Sequence, residues 1–290
     1  MKANQSSITA SGIAVARAVE SEKAEGVRIC YDPFAARFLN PWFFRFIRIF
    51  IDTGYAEWAG AGVQGFLVAR CRYMDDFLEA SLAEGLEQLV ILGAGYDSRA
   101  YRFESLMSGV KVFEVDHPAT QQVKIIKVKQ VFGKLPNNVT YVGVDFDHET
   151  LEQLLPPSGY DEKKLTLFIW EGVVMYLTPD AVDGTLNFIS QYSAPGSQVV
   201  FDYIYTALLD GSVHHGEVSR MRRARRFSGE GLSFSLPEGT VEEFLEQRDF
   251  TNVKDMTSEE LHKRYFTGPN THRKVAWGYA IVSGRVSSSP

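Results

Sequence analysis

Residues 88–97 read QLVILGAGYD and decide the fold. Four apolar residues, 89–92, follow one another without a polar break and stop at Gly93-Ala94-Gly95. A short continuous apolar run is typical of a strand that is buried on both faces of a parallel sheet. The glycines after it allow a tight turn and let a ligand approach the main chain closely. The stretch therefore predicts a first strand followed by a ligand-binding loop.

The same pattern recurs four times further along the chain. Apolar runs at 110–115, 139–144, 165–170 and 198–201 are each followed by an acidic residue, namely Asp116, Asp145, Glu171 and Asp202. Stretches with helical character at 118–132, 149–155 and 179–192 separate them. Strand and helix in alternation predict a doubly wound α/β sheet. Because such sheets bind ligands outside the carboxyl ends of their strands, the glycines and acids are expected to share one site.

The regions around this core predict three further parts. Residues 1–82 read as a helical cap region, residues 83–285 as the sheet domain with a late strand at 275–282, and residues 286–290 as a tail. Residues 207–236, after the fifth strand, read as an inserted lid segment rich in arginine. The apolar segment 42–51, WFFRFIRIFI, is shorter than the ~20 residues of a membrane span. We expect it to form a helix packed on the body of the protein, with a lid or an association surface as the alternative.

Composition narrows the classes of function. The chain has 290 residues, 45% hydrophobic and 23% charged, with a net charge of −6, which excludes collagen-like and largely disordered proteins. The mild acidity predicts neither nucleic acid nor a membrane as a partner, beyond what a local patch could bind. Cys30 and Cys71 form no CxxC pair, and His214-His215 has no third ligand in view, so no metal site is predicted. The start of the chain shows no signal segment, which predicts a cytoplasmic protein.

The glycine loop and the next strand end suggest a nucleoside ligand. Asp116 follows Gly95 by about 20 residues, the spacing at which an acid accepts hydrogen bonds from ribose hydroxyls in nucleotide-binding folds. Asp116 or His117 could instead cap the helix that begins near Pro118. The dinucleotide fingerprint fails, because Ser98 stands where its third glycine belongs. This disfavours an NAD-dependent dehydrogenase.

The remaining candidate residues indicate which other chemical groups the ligand carries. Asp145 followed by Phe146 offers an acceptor for the adenine amine and an apolar wall for its ring. Glu171 could bind an ammonium group or a ribose, and Arg70, on the helix before the first strand, could hold a carboxylate with two hydrogen bonds. Adenosine, ribose, amine and carboxylate occur together in S-adenosylmethionine, which is the predicted cofactor.

Four motifs also carry a family resemblance: LVILGAGYDSRAYRF at 89–103, VFEVDHP at 112–118, YVGVDF at 141–146 and IWEGVVMYL at 169–177. The chain resembles the leucine carboxyl methyltransferase family, S-adenosylmethionine-dependent enzymes with a class I Rossmann-like fold, and within it the microbial O-methyltransferase branch. The resemblance implies that Arg70 holds the cofactor carboxylate, Gly93 and Gly95 line the methionine part, Asp116 binds the ribose, Asp145 with Phe146 binds the adenine, and Glu171 lies near the amino group. Asp147 stands where family members often have an arginine that meets an acidic substrate, which weakens the case for a terminal-carboxylate substrate.

These observations predict a methyltransferase that acts on a hydroxyl or carboxylate oxygen of a small-molecule acceptor. A carboxylate needs no general base, whereas a hydroxyl usually does, and the sequence offers no convincing base. Tyr176 and Tyr203, which follow the fourth and fifth predicted strands, are candidates for the substrate pocket, although aromatic residues there are just as often packing. The alternatives are methylation of a protein carboxyl terminus or a modified RNA, and a non-catalytic protein that binds S-adenosylmethionine. The sequence leaves the oligomeric state open.

Overall fold

The computed structural model describes residues 3–52, 62–145, 148–210 and 231–288. In this part of the chain the strands are β1 Gln88–Leu92, β2 Lys111–Asp116, β3 Val139–Gly143, β4 Thr166–Trp170, β5 Gln198–Ile204, β6 Phe250–Thr257 and β7 Tyr279–Val286. The α-helices are α1 Ala3–Ser21, α2 Ala35–Phe38, α3 Pro41–Asp52, α4 Val63–Ala83, α5 Arg99–Arg102, α6 Pro118–Phe132, α7 Leu151–Leu154, α8 Pro179–Gln191, α9 Thr206–Asp210, α10 Val241–Glu246 and α11 Ser258–Tyr265. Short 3-10 turns lie at Pro156–Ser158, Val174–Tyr176 and Gly268–Asn270.

The seven strands form one sheet in the order β3-β2-β1-β4-β5-β7-β6. Strands β1 to β5 are parallel, with Leu92 of β1 beside Val115 of β2. Strand β7 is antiparallel to both β5 and β6. The order reverses between β1 and β4, and such a reversal opens a crevice at the carboxyl ends of the strands. The predicted doubly wound α/β fold is confirmed.

Helices cover both faces of the sheet, which explains why its central strands are continuously apolar. On one face α1, α2 and α4 pack on side chains such as Ile91 and Leu167. On the other face α8 and α10 pack on side chains such as Phe113 and Phe201. Burying each such side chain stabilises the fold by ~1.5–3 kcal/mol.

Two predicted boundaries differ from the structure. The late strand begins at Tyr279 instead of residue 275, because Gly278 has φ +86°, a conformation that extended chain does not adopt. It continues to Val286, which pairs with Phe250, so the sheet extends into the predicted tail. Of the predicted lid at 207–236, the structure describes only the two ends, and residues 211–230 lie outside the described part of the chain.

Helix α3 contains the apolar segment 42–51. One face packs on the core through Phe44 and Ile47, as expected. The opposite face exposes Trp42 and Phe46, with 81% of Trp42 accessible to solvent. None of the helices in the described ranges combines the length and apolarity needed to cross a bilayer.

Candidate functional site

A cavity of about 430 Å³ opens where the strand order reverses. It is lined by the ends of β1, β2 and β4, by the residues after β3, and by three side chains of α1. Of the seven predicted cofactor residues, five line it: Gly93, Gly95, Asp116, Asp145 and Glu171. Phe146 and Asp147 lie outside the described residues, and Arg70 lies behind the wall.

The glycine loop forms the part of the cavity next to β1. Gly93 has φ +65°, and a Cβ there would lie 2.3 Å from Cγ2 of Val173. Gly95 has φ +39°, and a Cβ there would lie 3.2 Å from Ala10 of α1. Both positions therefore require glycine, for the backbone conformation and for the close approach of neighbouring elements.

Asp116 ends β2 with both carboxylate oxygens held by the main chain. The Gly95 N–H donates to Oδ2, and the His117 N–H donates to Oδ1 at 2.6 Å. Burial raises the pKa of Asp116, and the two hydrogen bonds oppose that rise. The cap of α6 is His117, whose Nδ1 accepts from the Ala119 N–H at 3.2 Å. The capping role left open from the sequence thus falls to His117, and Asp116 faces the cavity.

Glu171, after β4, is held by two arginines. Arg70 Nε donates to Oε1 at 3.1 Å, and Arg99 Nη1 donates to Oε2 at 2.7 Å. Although burial opposes ionisation, Arg99 and Arg70 hold the pKa of Glu171 well below its usual range. Glu171 is therefore a fixed carboxylate at the cavity wall, with its side chain 6% exposed.

Arg70 of α4 lies beneath that wall and is 2% exposed. Besides Glu171 it contacts Asp202 of β5, whose Oδ2 accepts from Nη1 at 2.5 Å. Its Nη2 is buried without a hydrogen-bond partner. This atom would lie 3.3 Å from a Cβ on Gly172, which lines the cavity. The unpartnered N–H group is thus separated from the cavity by a glycine only.

The arginines and acids around Glu171 form one buried network. Its guanidinium groups belong to Arg70, Arg99 and Arg102, and its carboxylates to Asp75, Asp97, Glu171 and Asp202. The neighbouring Arg17–Asp32 pair adds no net charge. Four carboxylates against three guanidinium groups leave one excess formal negative charge. Removing charges from water is costly, so an uncompensated charge of this kind favours a cationic ligand.

The two candidate tyrosines lie in different places. Tyr176 ends the 3-10 turn after β4 and lines the cavity. Tyr203 is buried within β5, and its hydroxyl donates to the Asp255 carboxylate of β6 at 3.0 Å. Tyr203 is not among the cavity residues, since its hydroxyl is directed to the antiparallel part of the sheet.

The sequence model of the leucine carboxyl methyltransferase family matches residues 10–190, more than half of the chain. The chain belongs to this family. The match includes the glycine loop, the ends of β2, β3 and β4, and the helices that cover them, so the predicted family is confirmed.

Two relatives agree with this, and one solved structure has a similar fold. One relative is YktD of Bacillus subtilis, which is named as a candidate S-adenosyl-L-methionine-dependent methyltransferase. It is 30% identical to this chain over 69% of this chain's length. The match spans 66% of the length of YktD, just under two thirds. A protein of Mycolicibacterium paratuberculosis with the same designation is 30% identical over 87% of this chain and 84% of its own. A candidate methyltransferase from Thermobifida fusca has a similar fold, with a TM-score of 0.53 and 15% identity over 82% of this chain and 88% of that one. S-adenosylmethionine, the predicted cofactor, is the one in the relatives' names.

Two charged residues of the cavity, Arg17 and Asp97, were not predicted from the sequence. Arg17 of α1 donates from Nη2 to the Tyr96 carbonyl at 2.6 Å, and its Nε lies 3.0 Å from Asp32. Asp97 is 7% exposed and pairs with Arg99. The available signal was the position of Asp97 directly after the glycine loop. Arg17 gave no such signal, because it comes from a helix far upstream.

Proposed function

We propose that this chain transfers the methyl group of S-adenosylmethionine to an oxygen atom of a small-molecule acceptor. The observation that carries the proposal is the excess negative charge of the buried network beside Glu171. S-adenosylmethionine bears a net positive charge when its sulfonium, ammonium and carboxylate are added. A cavity with fixed carboxylates complements such a ligand, and it would repel the phosphates of a dinucleotide.

The adenosyl half fits the ends of β2 and β3. Asp116 has its carboxylate held by the main chain and facing the cavity, ready to accept from two ribose hydroxyls. Asp145, after β3, lines the same end and would accept from the adenine amine. Phe146 remains in the proposal, on the basis of the sequence, as the apolar wall of the ring.

The methionyl half fits the ends of β1 and β4. Glu171 after β4 and Asp97 two residues after Gly95 both line the cavity, and they would hold the ammonium group. Arg17 lines the cavity and would hold the carboxylate. Arg70 remains in the proposal on the basis of the sequence, and its buried, unpartnered Nη2 lies against Gly172 of the cavity wall. Gly93 and Gly95 leave room for the chain of the methionine.

When bound, the cofactor supplies a methyl group on a positively charged sulfur that is already an activated leaving group. The chain has to align the acceptor with that methyl group and exclude water. Ile13, Val173 and Leu177 line the cavity and present no charge. They would pack against the acceptor and keep its oxygen in a dry environment.

The ionisable residues that line the cavity also bear on which kind of oxygen atom accepts the methyl group. Apart from Tyr96 and Tyr176, the ionisable side chains that line the cavity are Arg17, Asp97, Asp116, His117, Asp145 and Glu171. We assign five of them to the cofactor, and Nδ1 of His117 is engaged as a helix cap. Among the described residues this leaves no carboxylate or imidazole as a general base beside the acceptor. An oxygen that is ionised without help, such as a carboxylate or an acidic phenol, therefore fits best.

Calorimetry and methyl transfer test the proposal. We expect S-adenosylhomocysteine to bind and NAD to give no response; the reverse result would overturn the proposal. Labelled S-adenosylmethionine with matched carboxylic acid and phenol acceptors then reports transfer. Release of volatile label in mild base identifies a methyl ester, and retention identifies an ether. Binding without transfer to any acceptor of either class supports the non-catalytic alternative.

A further inference from the structure

We propose that Lys124 is a positioning residue that holds the Ala94–Gly95 peptide and, through it, the carboxylate of Asp116. The proposal rests on the proposed function only in assigning Asp116 to the cofactor ribose. Lys124 belongs to α6 and is 1% exposed. A lysine is almost never fully buried unless it is paired, so its partners indicate its role.

The peptide between Ala94 and Gly95 is held at both of its polar groups. The Ala94 carbonyl oxygen accepts from Lys124 Nζ at 3.3 Å and from the Asp97 N–H at 2.7 Å, and the Gly95 N–H donates to Asp116 Oδ2. The carbonyl and the N–H of one peptide unit lie in a single rigid plane. Lys124 therefore acts together with the Asp97 N–H, which belongs to the same loop, and is the side chain from outside the loop that fixes the direction of the N–H that orients Asp116.

The loop needs this restraint because of its own sequence. Gly93 and Gly95 stand on either side of Ala94, and glycine rotates between backbone conformations at little cost. Rotation of the Ala94–Gly95 peptide would turn the Gly95 N–H away from Asp116. The same glycines that let a ligand approach thus make the loop easy to distort, and the lysine opposes that distortion.

Lys124 is itself held by a buried acid. Glu114 of β2 accepts from Nζ at 2.8 Å and also from the Tyr101 hydroxyl at 3.2 Å. Glu114 is two residues before Asp116 on the same strand, so both side chains project from the same face of the sheet. Burial raises the pKa of Glu114 to about 7. Strand β2 therefore supplies both ends of the chain of contacts, Glu114 beneath the loop and Asp116 at the cavity.

The test compares two variants that differ only at the lysine. Lys124→Met/Glu114→Gln leaves no unpaired charge, and Glu114→Gln alone is its reference. We expect the double variant to bind S-adenosylhomocysteine at least about tenfold more weakly than the reference, the effect of losing one charge-assisted hydrogen bond. Lys129→Met is the control, because Lys129 of the same helix is exposed and does not line the cavity. The control is expected to change the affinity by less than about threefold.

A double-mutant cycle and an apo measurement separate positioning from general stability. In an Asp116→Asn background the change at Lys124 should cost less than about threefold, because its effect passes through Asp116. Without ligand, the Gly95 amide should exchange its hydrogen faster in the double variant than in the reference. Unchanged hydrogen exchange at Gly95, or full additivity with Asp116→Asn, would overturn the proposal.

Failure of this proposal can be told apart from failure of the proposed function. If the native protein does not bind S-adenosylhomocysteine, the proposed function fails, while hydrogen exchange at Gly95 still decides the role of Lys124. Should the double variant not fold, Lys124→Met/Glu114→Leu replaces the pair with apolar groups and the same measurements apply.

Discussion

The charged and the apolar side chains that line the cavity are held in place by different physical means. The charged wall, formed by Arg17, Asp97 and Glu171, is held by ion pairs whose partners come from several elements. The apolar wall, formed by Ile13, Val173 and Leu177, is held by packing alone. Ion pairs fix the direction of each group, whereas apolar side chains of similar volume can replace one another at low cost. The charged wall therefore specifies the chemistry of a ligand, and the apolar wall specifies little more than its size.

The largest expected effect is at Arg99, which pairs with Asp97 and Glu171 of the charged wall. Its guanidinium pairs with Asp75, Asp97 and Glu171, and it is 1% exposed. Arg99→Met would leave these carboxylates short of a partner, and we expect the free energy of unfolding to fall by ~3–5 kcal/mol. Urea denaturation followed by circular dichroism measures this.

The control is an ion pair at the surface. Arg285 pairs with Glu84 at 2.5 Å, with their side chains 37% and 47% exposed. Arg285→Met should lower the free energy of unfolding by no more than about 1 kcal/mol, since exposed pairs are screened. Equal losses in the two variants would mean that the charged wall has no special place in stability.

The next effect is on binding, at Asp116. Asp116→Asn should weaken S-adenosylhomocysteine binding by ~1.5–3 kcal/mol for each charged hydrogen bond lost. Because burial raises the pKa of Asp116, its charge destabilises the free protein at neutral pH, so folding should survive. Calorimetry and thermal denaturation separate the two. A variant that melts early yet binds normally would assign Asp116 a structural role only.

The acids at the strand ends of the cavity could be predicted from the sequence. The apolar runs locate the strand ends, and Asp116 and Glu171 occupy those ends, so the pattern alone brings them together. The same reasoning located α6 at its observed bounds. These residues are readable because one local pattern determines both their element and their position in it.

The other parts depend on packing between distant segments. Arg17 reaches the cavity only because α1 lies over the glycine loop, where it meets Tyr96. Strand β6 was not predicted, because as an edge strand it exposes Thr251, Asn252 and Lys254 and lacks an apolar run. Arg70 pairs with Glu171 and Asp202 behind the cavity wall, and the Tyr203 hydroxyl donates to Asp255 outside the cavity. Both contacts depend on neighbours that the local sequence pattern does not reveal.

The pH dependence of stability should carry opposite contributions from two buried carboxylates. The pKa of Glu114 is raised by burial to about 7, from an ordinary value of 4.5. The folded state then retains a proton that the unfolded state loses, so this group's contribution falls as pH rises from 4.5 to about 7. The slope is at most about 1.4 kcal/mol per pH unit, and it should vanish in Glu114→Gln.

The contribution of Glu171 to stability is expected to depend on pH in the opposite direction. The pKa of Glu171 is lowered in the folded protein, so its contribution is present above the ordinary value of 4.5 and is lost as pH falls below it. Urea denaturation at a series of pH values should therefore show Glu114→Gln altering the limb between pH 4.5 and about 7. The acid limb, where Glu171 contributes, should keep its slope. If Glu114→Gln altered the limb below pH 4.5 instead, the pH ranges assigned to Glu114 and Glu171 would have to be exchanged.

The smallest expected effect tests the boundary of the apolar wall at Tyr203. Its hydroxyl donates to Asp255, which is half-buried and away from the cavity. Tyr203→Phe should lower the free energy of unfolding by ~1 kcal/mol, the typical value of one hydrogen bond, and leave S-adenosylhomocysteine affinity and methyl transfer unchanged. Tyr192→Phe is the matched control, because its hydroxyl donates to Glu152 at 2.7 Å on the surface, and we expect no change in stability. If Tyr203→Phe reduced transfer to the acceptor while binding of S-adenosylhomocysteine stayed intact, the apolar wall would have to extend to β5, and Tyr203 would join Tyr176 as a candidate residue of the substrate pocket.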